Sequence, residues 1–407
     1  MRLALLWAAV STTEFRLRAF ILPFYVPALL WSAGAGVILP ILPLHIRALG
    51  AGLSETGIIM AMFALGSLLG NIPGGMLIGR FGKKRAMLGA VSVEALLALA
   101  AALIRRPWMM APILFGLGAV HTLFFLARLA YFRELVPGRR RGRALSLLGG
   151  ETRMGSSIGP VMGGFVADWL GFRATFVLFG IFSAAVLALA GGFVPDDSHQ
   201  PRDGSPQWQR NSLRRSFELL RQQRRVFLTA GSAVLALKLI REARKVVFPL
   251  WGDLIGMTAS GIGLLFGVAY LVELALFYPA GWIMDRWGRK NTAIPCMLIF
   301  SMGFLLLPLA GTPALFVLLA VVVAVGNGIG AGINMTLSTD MAPHGRVVEF
   351  LALWRTVTDA GGAASPVLVG FAAAGLGLAA AAPVVAAVGF AGAAVMALAV
   401  KETLQRG

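Results

Sequence analysis

One stretch of the sequence places charged side chains in otherwise apolar surroundings. Five of them fall within eight residues of the hydrophobic segment 226–251, namely Lys238, Arg241, Glu242, Arg244 and Lys245. At 100° per residue, all but Arg244 lie within a wedge of about 100° on one helical face, and Arg244 lies at its edge. Such a wedge could hold an anionic or amphiphilic acidic ligand. It could equally form ion pairs with acidic residues of neighbouring helices.

Acidic side chains in other apolar segments are the available partners, and all of them except Glu94 are also candidates for carrying protons. They are Glu94, Glu151, Glu273 and Asp359. A buried carboxylate is the simplest proton carrier in a membrane, because burial disfavours its ionised form. We expect the proton carriers, in order of preference, to be Glu242, Glu151, Glu273 and Asp359. Asp359 also follows Arg355 by four residues, which places both on one helical face and predicts an ion pair.

Two further polar residues are candidates for contact with a ligand. His121 lies in the apolar segment 108–132 and can titrate near neutral pH, although it could equally be a packed, hydrogen-bonded residue. Asn327 follows it by 206 residues and lies in a glycine-rich stretch, which no strand precedes, so a nucleotide-binding loop is excluded. The expected ligand-binding residues are Lys238, Arg241, Glu242, Lys245, His121 and Asn327.

The segments that carry these residues have the length of membrane spans. A helix needs about 20 residues to cross about 30 Å of hydrocarbon. Because lipid offers no partner for backbone polar groups, such runs should be α-helices. With 58% hydrophobic and only 13% charged residues, the chain is not an ordinary soluble enzyme. We count twelve runs, at 20–46, 56–78, 85–104, 108–132, 144–168, 173–194, 226–251, 259–283, 291–310, 313–338, 348–372 and 376–400.

The distribution of basic residues predicts the orientation of these spans. With the N-terminus taken as cytoplasmic, 25 of the 36 Lys and Arg residues fall in cytoplasmic loops and tails and four on the opposite side. Positive loops stay in the cytoplasm, so we predict a multi-pass protein of the cell inner (cytoplasmic) membrane with both termini inside. The net charge of +18 therefore needs no nucleic-acid partner. The remaining seven basic residues lie within the spans.

The chain contains an internal repeat. At an offset of 206 residues, glycines and prolines of the two halves coincide, as in Pro43 and Pro249, Gly82 and Gly288, and Pro160 and Pro366. Such residues mark special backbone positions, so their coincidence indicates a duplicated six-helix unit. We predict six-helix bundles at 1–194 and 226–407, joined by a cytoplasmic linker at 195–225 that ends in a basic amphipathic helix.

Two loops at equivalent places in the halves share a pattern. Residues 75–85 read GMLIGRFGKKR and residues 281–290 read GWIMDRWGRK. Both resemble G-x-x-x-D-R-x-G-R-K, the signature loop of the major facilitator superfamily, although the first copy has Gly79 in place of the aspartate. The first glycine permits close helix approach, the aspartate can sit against a neighbouring helix N-terminus, and the second glycine allows a tight turn. The expected gating residues here are Gly75, Arg80, Gly82, Asp285, Arg286, Gly288 and Arg289.

Two more motifs resemble those of drug:proton antiporters within this superfamily. Residues 155–164 read GSSIGPVMGG, similar to G-x-x-x-G-P-x-x-G-G, and residues 34–43 are similar to the G-x5-P-x2-P pattern of twelve-span exporters. Small residues four apart let helices approach closely, and a proline bends the span. We therefore add three residues of span 5 to the expected gating residues, namely Gly155, Gly159 and Pro160.

The resemblance implies an all-α membrane protein of two pseudo-symmetric six-helix bundles that transports by alternating access. It implies proton-coupled efflux of hydrophobic or amphiphilic compounds. Two departures prevent transfer of the usual proton-coupling residues: span 1 contains no acidic residue between Phe20 and Pro43, and the only arginine of span 4, Arg128, lies late in the helix.

Other functions remain open at this stage. The basic face of span 7 also suits uptake of an anionic metabolite, or lipid or lysolipid translocation with the headgroup phosphate on that face. A receptor without transport activity would leave the repeat and the motifs unexplained. No enzyme constellation, metal-ligand cluster or cofactor motif is visible in the sequence. The expected partners are a small-molecule substrate, protons and membrane lipid, and the expected state is a monomer.

Overall fold

The computed structural model describes residues 21–135, 138–194, 218–343 and 345–404, and all regular elements in these ranges are helical. We number the helices by span. Helix α1 comprises a π-helical turn, Ile21–Tyr25, and the segments Val26–Ile38 and Leu42–Ala48. The other helices of the first half are α2 (Leu53–Phe81), α3 (Lys83–Leu103), α4 (Met110–Leu135), α5 (Gly138–Leu170) and α6 (Phe172–Phe193).

The second half has the corresponding six helices. Helix α7 (Ser232–Leu254) begins later than the predicted span because a π-helical turn, Phe227–Gly231, precedes it. Helix α10 is interrupted at 330–332, between Pro313–Ile329 and Ile333–Asp340. The remaining helices are α8 (Ala259–Trp287), α9 (Arg289–Leu306), α11 (Val347–Leu376) and α12 (Leu378–Ala399).

Ten of these helices are long and apolar enough to cross a membrane, judged on the described residues. The two others are α5 and α7, which carry the most charged residues of the twelve. A charge in the bilayer needs a partner or a cavity. We therefore expect α5 and α7 to contribute to a functional site.

The repeat predicted from glycine and proline positions also exists in the backbone. Of the eight glycines with positive φ in the described ranges, six form three pairs separated by 206 residues, namely Gly50 and Gly256, Gly82 and Gly288, and Gly171 and Gly377. Each pair lies in a turn between two consecutive helices. Since side chains disfavour this conformation, the same three tight turns recur in both halves for the same physical reason.

Helix packing follows the repeat as well. Helix α1 packs against α5 and α6, just as α7 packs against α11 and α12; α2 packs against α4, as α8 does against α10. The halves meet through α5 with α8 and α2 with α11. Of the predicted linker 195–225, residues 195–217 lie outside the described ranges, and residues 218–222 are helical.

The closest contacts between the halves lie at one side, which carries the α1–α2 and α7–α8 turns. We call it the outer side, following the predicted orientation. There, a Cβ atom on Gly370 would lie 2.8 Å from the Cα of Gly57, and one on Gly164 would lie 2.8 Å from the Cα of Ser260. Near the opposite ends of α2 and α8, Gly75 and Gly281 have no described atom within 4 Å of a Cβ position. The expected close helix approach at Gly75 is therefore not found among the described residues.

Candidate functional site

A cavity of about 160 Å³ lies between the two halves. Helices α1, α4 and α5 form one wall and α7 and α8 the other. Polar and aromatic groups from both halves line it, including Trp31, Ser32, His121, Ser156, Lys245 and Tyr270. The cavity combines apolar ring surface with hydroxyl, imidazole and ammonium groups, as a site for an amphiphilic ligand requires.

Close packing of α1 against α5 forms one side of this cavity. A Cβ atom on Gly159 would lie 2.7 Å from the Cα of Gly36, and one on Gly155 would lie 2.6 Å from the carbonyl oxygen of Leu29. Nearby, Ser32 Oγ donates to the carbonyl oxygen of Thr152 at 2.5 Å. The close approach predicted from the small residues of span 5 is therefore present. The gating role of Gly155, Gly159 and Pro160 stays a prediction.

The charged wedge of α7 does find acidic partners. Glu242 lies 2.7 Å from Lys245 Nζ and 3.7 Å from Lys238 Nζ, and Lys238 lies 3.8 Å from Asp359. Asp359 also forms the predicted ion pair with Arg355, at 3.4 Å. These five side chains make a continuous ion-pair network between α7 and α11.

The fully buried pair of the second half is Arg244 with Glu273. Arg244 Nη1 donates to Glu273 Oε1 at 2.5 Å, and both side chains are almost entirely inaccessible. The guanidinium also lies 5.3 Å from the ring centre of Tyr270. Arg244 thus points towards α8. This agrees with its predicted position at the edge of the charged wedge of α7.

The expected ligand-binding set is only partly brought together. His121 and Lys245 line the cavity, whereas Lys238 and Glu242 pack beside Gly362 of α11. Lys238 and Lys245 are seven residues apart, about 10 Å along a helix, so a single wedge cannot face one small cavity over its whole length.

The two remaining members of that set lie elsewhere. Arg241 donates to the carbonyl oxygen of Gly330 at 3.0 Å, in the interruption of α10. Asn327 is partly buried, and its Oδ1 has no hydrogen-bond partner among the described residues. Neither residue is among those that line this cavity, so their place beside His121 and Lys245 in ligand binding stays a prediction.

In the first half, Arg128 of α4 pairs with Glu151 of α5. Their nearest charged atoms are 3.6 Å apart, and the Arg128 side chain is 3% exposed. Its guanidinium carbon also lies 5.4 Å from the ring centre of Trp31. All four acidic residues expected to carry protons, Glu242, Glu151, Glu273 and Asp359, therefore have a lysine or arginine within 4 Å.

The fifth intramembrane carboxylate, Glu94, has a different partner. Its Oε1 lies 3.5 Å from His121 Nδ1, and its Oε2 is buried without a hydrogen-bond partner. The His121 ring stacks on Trp31 with centres 4.0 Å apart. The sequence predicts Glu94 as a partner for the charges of span 7. That prediction is wrong, because Glu94 lies on α3, which packs against α4 and α6 of the first half. Nothing in one sequence says which helices are neighbours.

The second signature loop is held by a residue that the motif does not contain. Glu402 accepts hydrogen bonds from the backbone N–H groups of Arg289 and Lys290, at 2.9 and 3.0 Å, at the start of α9. Burial alone would raise the pKa of Glu402, but these backbone hydrogen bonds and those from Thr403 and Leu404 lower it below its ordinary value.

Asp285 does not take the position expected for it. Its side chain is 78% exposed and lies 3.7 Å from Arg289, which also bonds Asp340 at 2.9 Å. Among the residues that the structure describes, Asp285 therefore has no contact with a neighbouring helix N-terminus. In both loops the arginine of the motif lies over an aromatic ring: Arg80 over Phe81 at 5.4 Å, and Arg286 over Trp282 at 5.3 Å.

Comparison with known proteins gives the family. The sequence profile described as Major Facilitator Superfamily matches residues 28–241 and 242–406. An uncharacterized MFS-type transporter of Methanocaldococcus jannaschii is 24% identical over 351 residues, which are 85% of this chain and 89% of the relative. Multidrug resistance protein 2 of Bacillus subtilis is 23% identical over 286 residues, 65% of this chain and 66% of the relative.

Solved structures share the fold at low sequence identity. A D-xylose-proton symporter superposes with a TM-score of 0.71 at 17% identity, over 95% of this chain and 98% of the symporter. A peptide transporter POT in complex with sulfate superposes with a TM-score of 0.77 at 14% identity, over 93% of each chain. With the profile matching almost the whole length, and with the same helix pairs in both halves, this chain belongs to the Major Facilitator Superfamily of membrane transporters.

Proposed function

We propose that this protein is a secondary active transporter that exports hydrophobic or amphiphilic compounds in exchange for protons. The observation that carries the proposal is the cavity between the halves, where Trp31 and Tyr270 offer aromatic surface beside ionisable His121 and Lys245. Several relatives are named multidrug resistance proteins, including the one from Bacillus subtilis, which supports this class of substrate.

The conformation suits the loading step of an exporter. The halves are in close contact at the outer side, whereas Gly75 and Gly281, near the opposite ends of α2 and α8, have no described atom within 4 Å of a Cβ position. In the predicted orientation, that less closely packed side faces the cytoplasm, from which an exporter takes its substrate. At about 160 Å³, the cavity is smaller than the pockets of about 300 Å³ or more that hold drug-sized ligands, so loading requires further separation of the halves.

The test is transport in liposomes that contain the purified protein. Vesicles are loaded with ethidium, a fluorescent amphiphilic cation, and a pH gradient of either sign is imposed. Proton-coupled exchange predicts ethidium movement that reverses with the gradient. Movement that ignores the gradient contradicts proton coupling, and no movement of ethidium or of uncharged dyes contradicts the substrate class.

A second candidate is transport of an organic anion. Its support is the excess of positive charge within the membrane, since Arg153 and Arg241 have no acidic oxygen within 4 Å among the described residues. It predicts that Arg241→Ala reduces uptake of the transported acid, whereas ethidium transport is little changed. Equal uptake of every acid tested by wild type and variant contradicts it.

A further inference from the structure

The buried pair Glu94 and His121 differs from every other intramembrane carboxylate pair in the described ranges. Arginine stays charged at physiological pH even when it is buried, so a carboxylate beside it is held ionised. Protonating Glu151 or Glu273 would leave Arg128 or Arg244 buried and unpaired, which is costly. Histidine is the partner that itself gains and loses a proton near neutrality. Among the buried carboxylates of the described ranges, Glu94, Glu151 and Glu273, only Glu94 can therefore take up a proton without leaving a buried arginine unpaired.

The position of His121 connects that proton to the ligand cavity. Its ring is part of the wall of the cavity between the halves. The same ring lines a small closed space of about 10 Å³ together with Glu94, Phe63 and Phe179. His121 therefore stands between the central cavity and a carboxylate that is 1% exposed. Because an imidazole can accept a proton at one nitrogen and release it from the other, it can relay a proton from the cavity to Glu94.

The surrounding helices bring few competing charges to this pair. The segment Val26–Ile38 of α1 has no ionisable residue, α2 has none between Glu55 and Arg80, and α6 has only Arg173 at its outer end. The other ionisable groups nearby are Arg128, paired with Glu151; Lys245, paired with Glu242; and Tyr270.

The charge of this part of the cavity consequently follows the protonation of the pair. With one proton, the pair is neutral, whether it consists of carboxylate and imidazolium or of carboxylic acid and imidazole. Without that proton, Glu94 is an anion in the membrane, which is unfavourable unless a positive charge lies near it. A cationic compound against the His121 ring supplies such a charge, so the proton and the cation replace each other.

We propose that Glu94 and His121 form the proton-binding site of this transporter, and that its proton leaves when a cationic amphiphile occupies the central cavity. This inference rests on the proposed exchange of compounds for protons and deepens it by naming the site and the charge of the substrate. The proposal assigns the proton to Glu94, in place of the four carboxylates that the sequence predicts as proton carriers.

The experiment measures proton release on binding. The purified full chain is titrated with tetraphenylphosphonium by calorimetry, in two buffers of equal pH and different ionisation enthalpy. Wild type is expected to release about one proton per bound cation, and its affinity should fall about tenfold for each unit decrease of pH in the range where the pair is protonated. Glu94→Gln, which removes the carboxylate that exchanges the proton for the cation, should release none and should change affinity less than about twofold over the same range.

Two further variants serve as comparators. Glu151→Gln removes the rival carboxylate of the same half, and Glu349→Gln removes a half-buried carboxylate paired with Arg346 at the start of α11. Both should release the proton as wild type does. Proton release that is lost in Glu151→Gln and kept in Glu94→Gln overturns the proposal.

A second readout needs no ligand. Infrared difference spectra between alkaline and mildly acidic pH report carboxylic acid and imidazolium bands, one of which must appear when the pair takes up its proton. The carboxylic acid band should be absent in Glu94→Gln, and both bands should be absent in the double variant Glu94→Gln with His121→Gln; persistence of either band in the double variant overturns the proton site. A wild-type protein that binds no lipophilic cation overturns the exchange and the proposed function, while the infrared bands decide the proton site independently.

Discussion

The carboxylate of Asp168, near the end of α5, accepts a hydrogen bond from the backbone N–H of Ala259 at the start of α8, at 3.0 Å. Its second oxygen accepts from Ser260 at 2.9 Å. One side chain of the first half thus caps a helix of the second, where a negative charge also interacts favourably with the helix dipole. The contact lies on the outer side, so any opening of that side must break it.

Removing this cap should shift the protein towards an outward-open state. Asp168 is exposed, so we assign the interaction about 1 kcal/mol, which corresponds to about a fivefold change in the conformational ratio. The measurement is the distance distribution between spin labels on the outer ends of α5 and α8, in a Cys296→Ser background. Asp168→Ala should increase the long-distance population more than Asp168→Asn, which keeps one acceptor oxygen.

The matched control for this change is Asp253→Ala. Asp253 lies near the outer end of α7, and no hydrogen bond to its side chain is found among the described residues. A similar shift in this control would assign the effect to net charge instead of the Asp168 cap.

Packing of α1 on α5 should tolerate no side chain at Gly159. Its Cβ position is 2.7 Å from the Cα of Gly36, and backbone cannot move aside as a flexible side chain can. We expect Gly159→Ala to lower the free energy of unfolding by about 1–3 kcal/mol, seen as a lower midpoint in thermal unfolding in detergent. Gly149→Ala is the control on the same helix, because no described atom lies within 4 Å of its Cβ position. Equal midpoints for both variants would contradict the packing argument.

The buried pair of Arg244 and Glu273 predicts a large single-variant effect. Glu273→Gln leaves the Arg244 charge buried without its counter-ion, which typically costs about 3–5 kcal/mol. Replacing both residues by apolar ones, Arg244→Met with Glu273→Leu, should restore most of the lost stability. Glu349→Gln is the control, since the half-buried pair of Glu349 with Arg346 should contribute at most about 1 kcal/mol. A double variant as unstable as Glu273→Gln would contradict this account.

The free energy of unfolding should depend on pH in the acid range because the carboxylate of Glu402 titrates there. Because its pKa is lowered in the folded protein, Glu402 stabilises the fold fully above its ordinary value of 4.5, and the contribution is lost as the pH falls through the lower folded-state pKa. At neutral pH, Glu402→Gln should reduce the free energy of unfolding by about 1 kcal/mol, as expected for loss of a helix cap. The difference from wild type should shrink as the pH falls below 4.5.

The control for this series is Asp285→Asn in the same loop. Its carboxylate is 78% exposed and should contribute little at any pH. Thermal midpoints measured across the acid range check both expectations, and a pH-independent difference for Glu402→Gln would contradict the titration of this carboxylate.

Local features of the sequence were enough to predict ten of the twelve expected spans and the repeat. Hydrophobic length is a property of each segment alone, and lipid leaves helix formation as the way to satisfy the backbone. The glycines at 82 and 288 predict tight turns because only glycine adopts that backbone conformation without strain, and both have positive φ. The pair of Arg355 with Asp359 was predictable because both lie on one helix face.

The tertiary structure alone decided which helices face each other, and with that the site. The spacing of the α7 charges is consistent with a ligand site or with ion pairs; the approach of α11 and α8 makes most of them ion pairs. Glu94 and His121 lie on different helices, and so do Asp168 and Ala259. Periodicity within one helix carries no information on its neighbour, because helix pairing depends on packing between segments far apart in the chain.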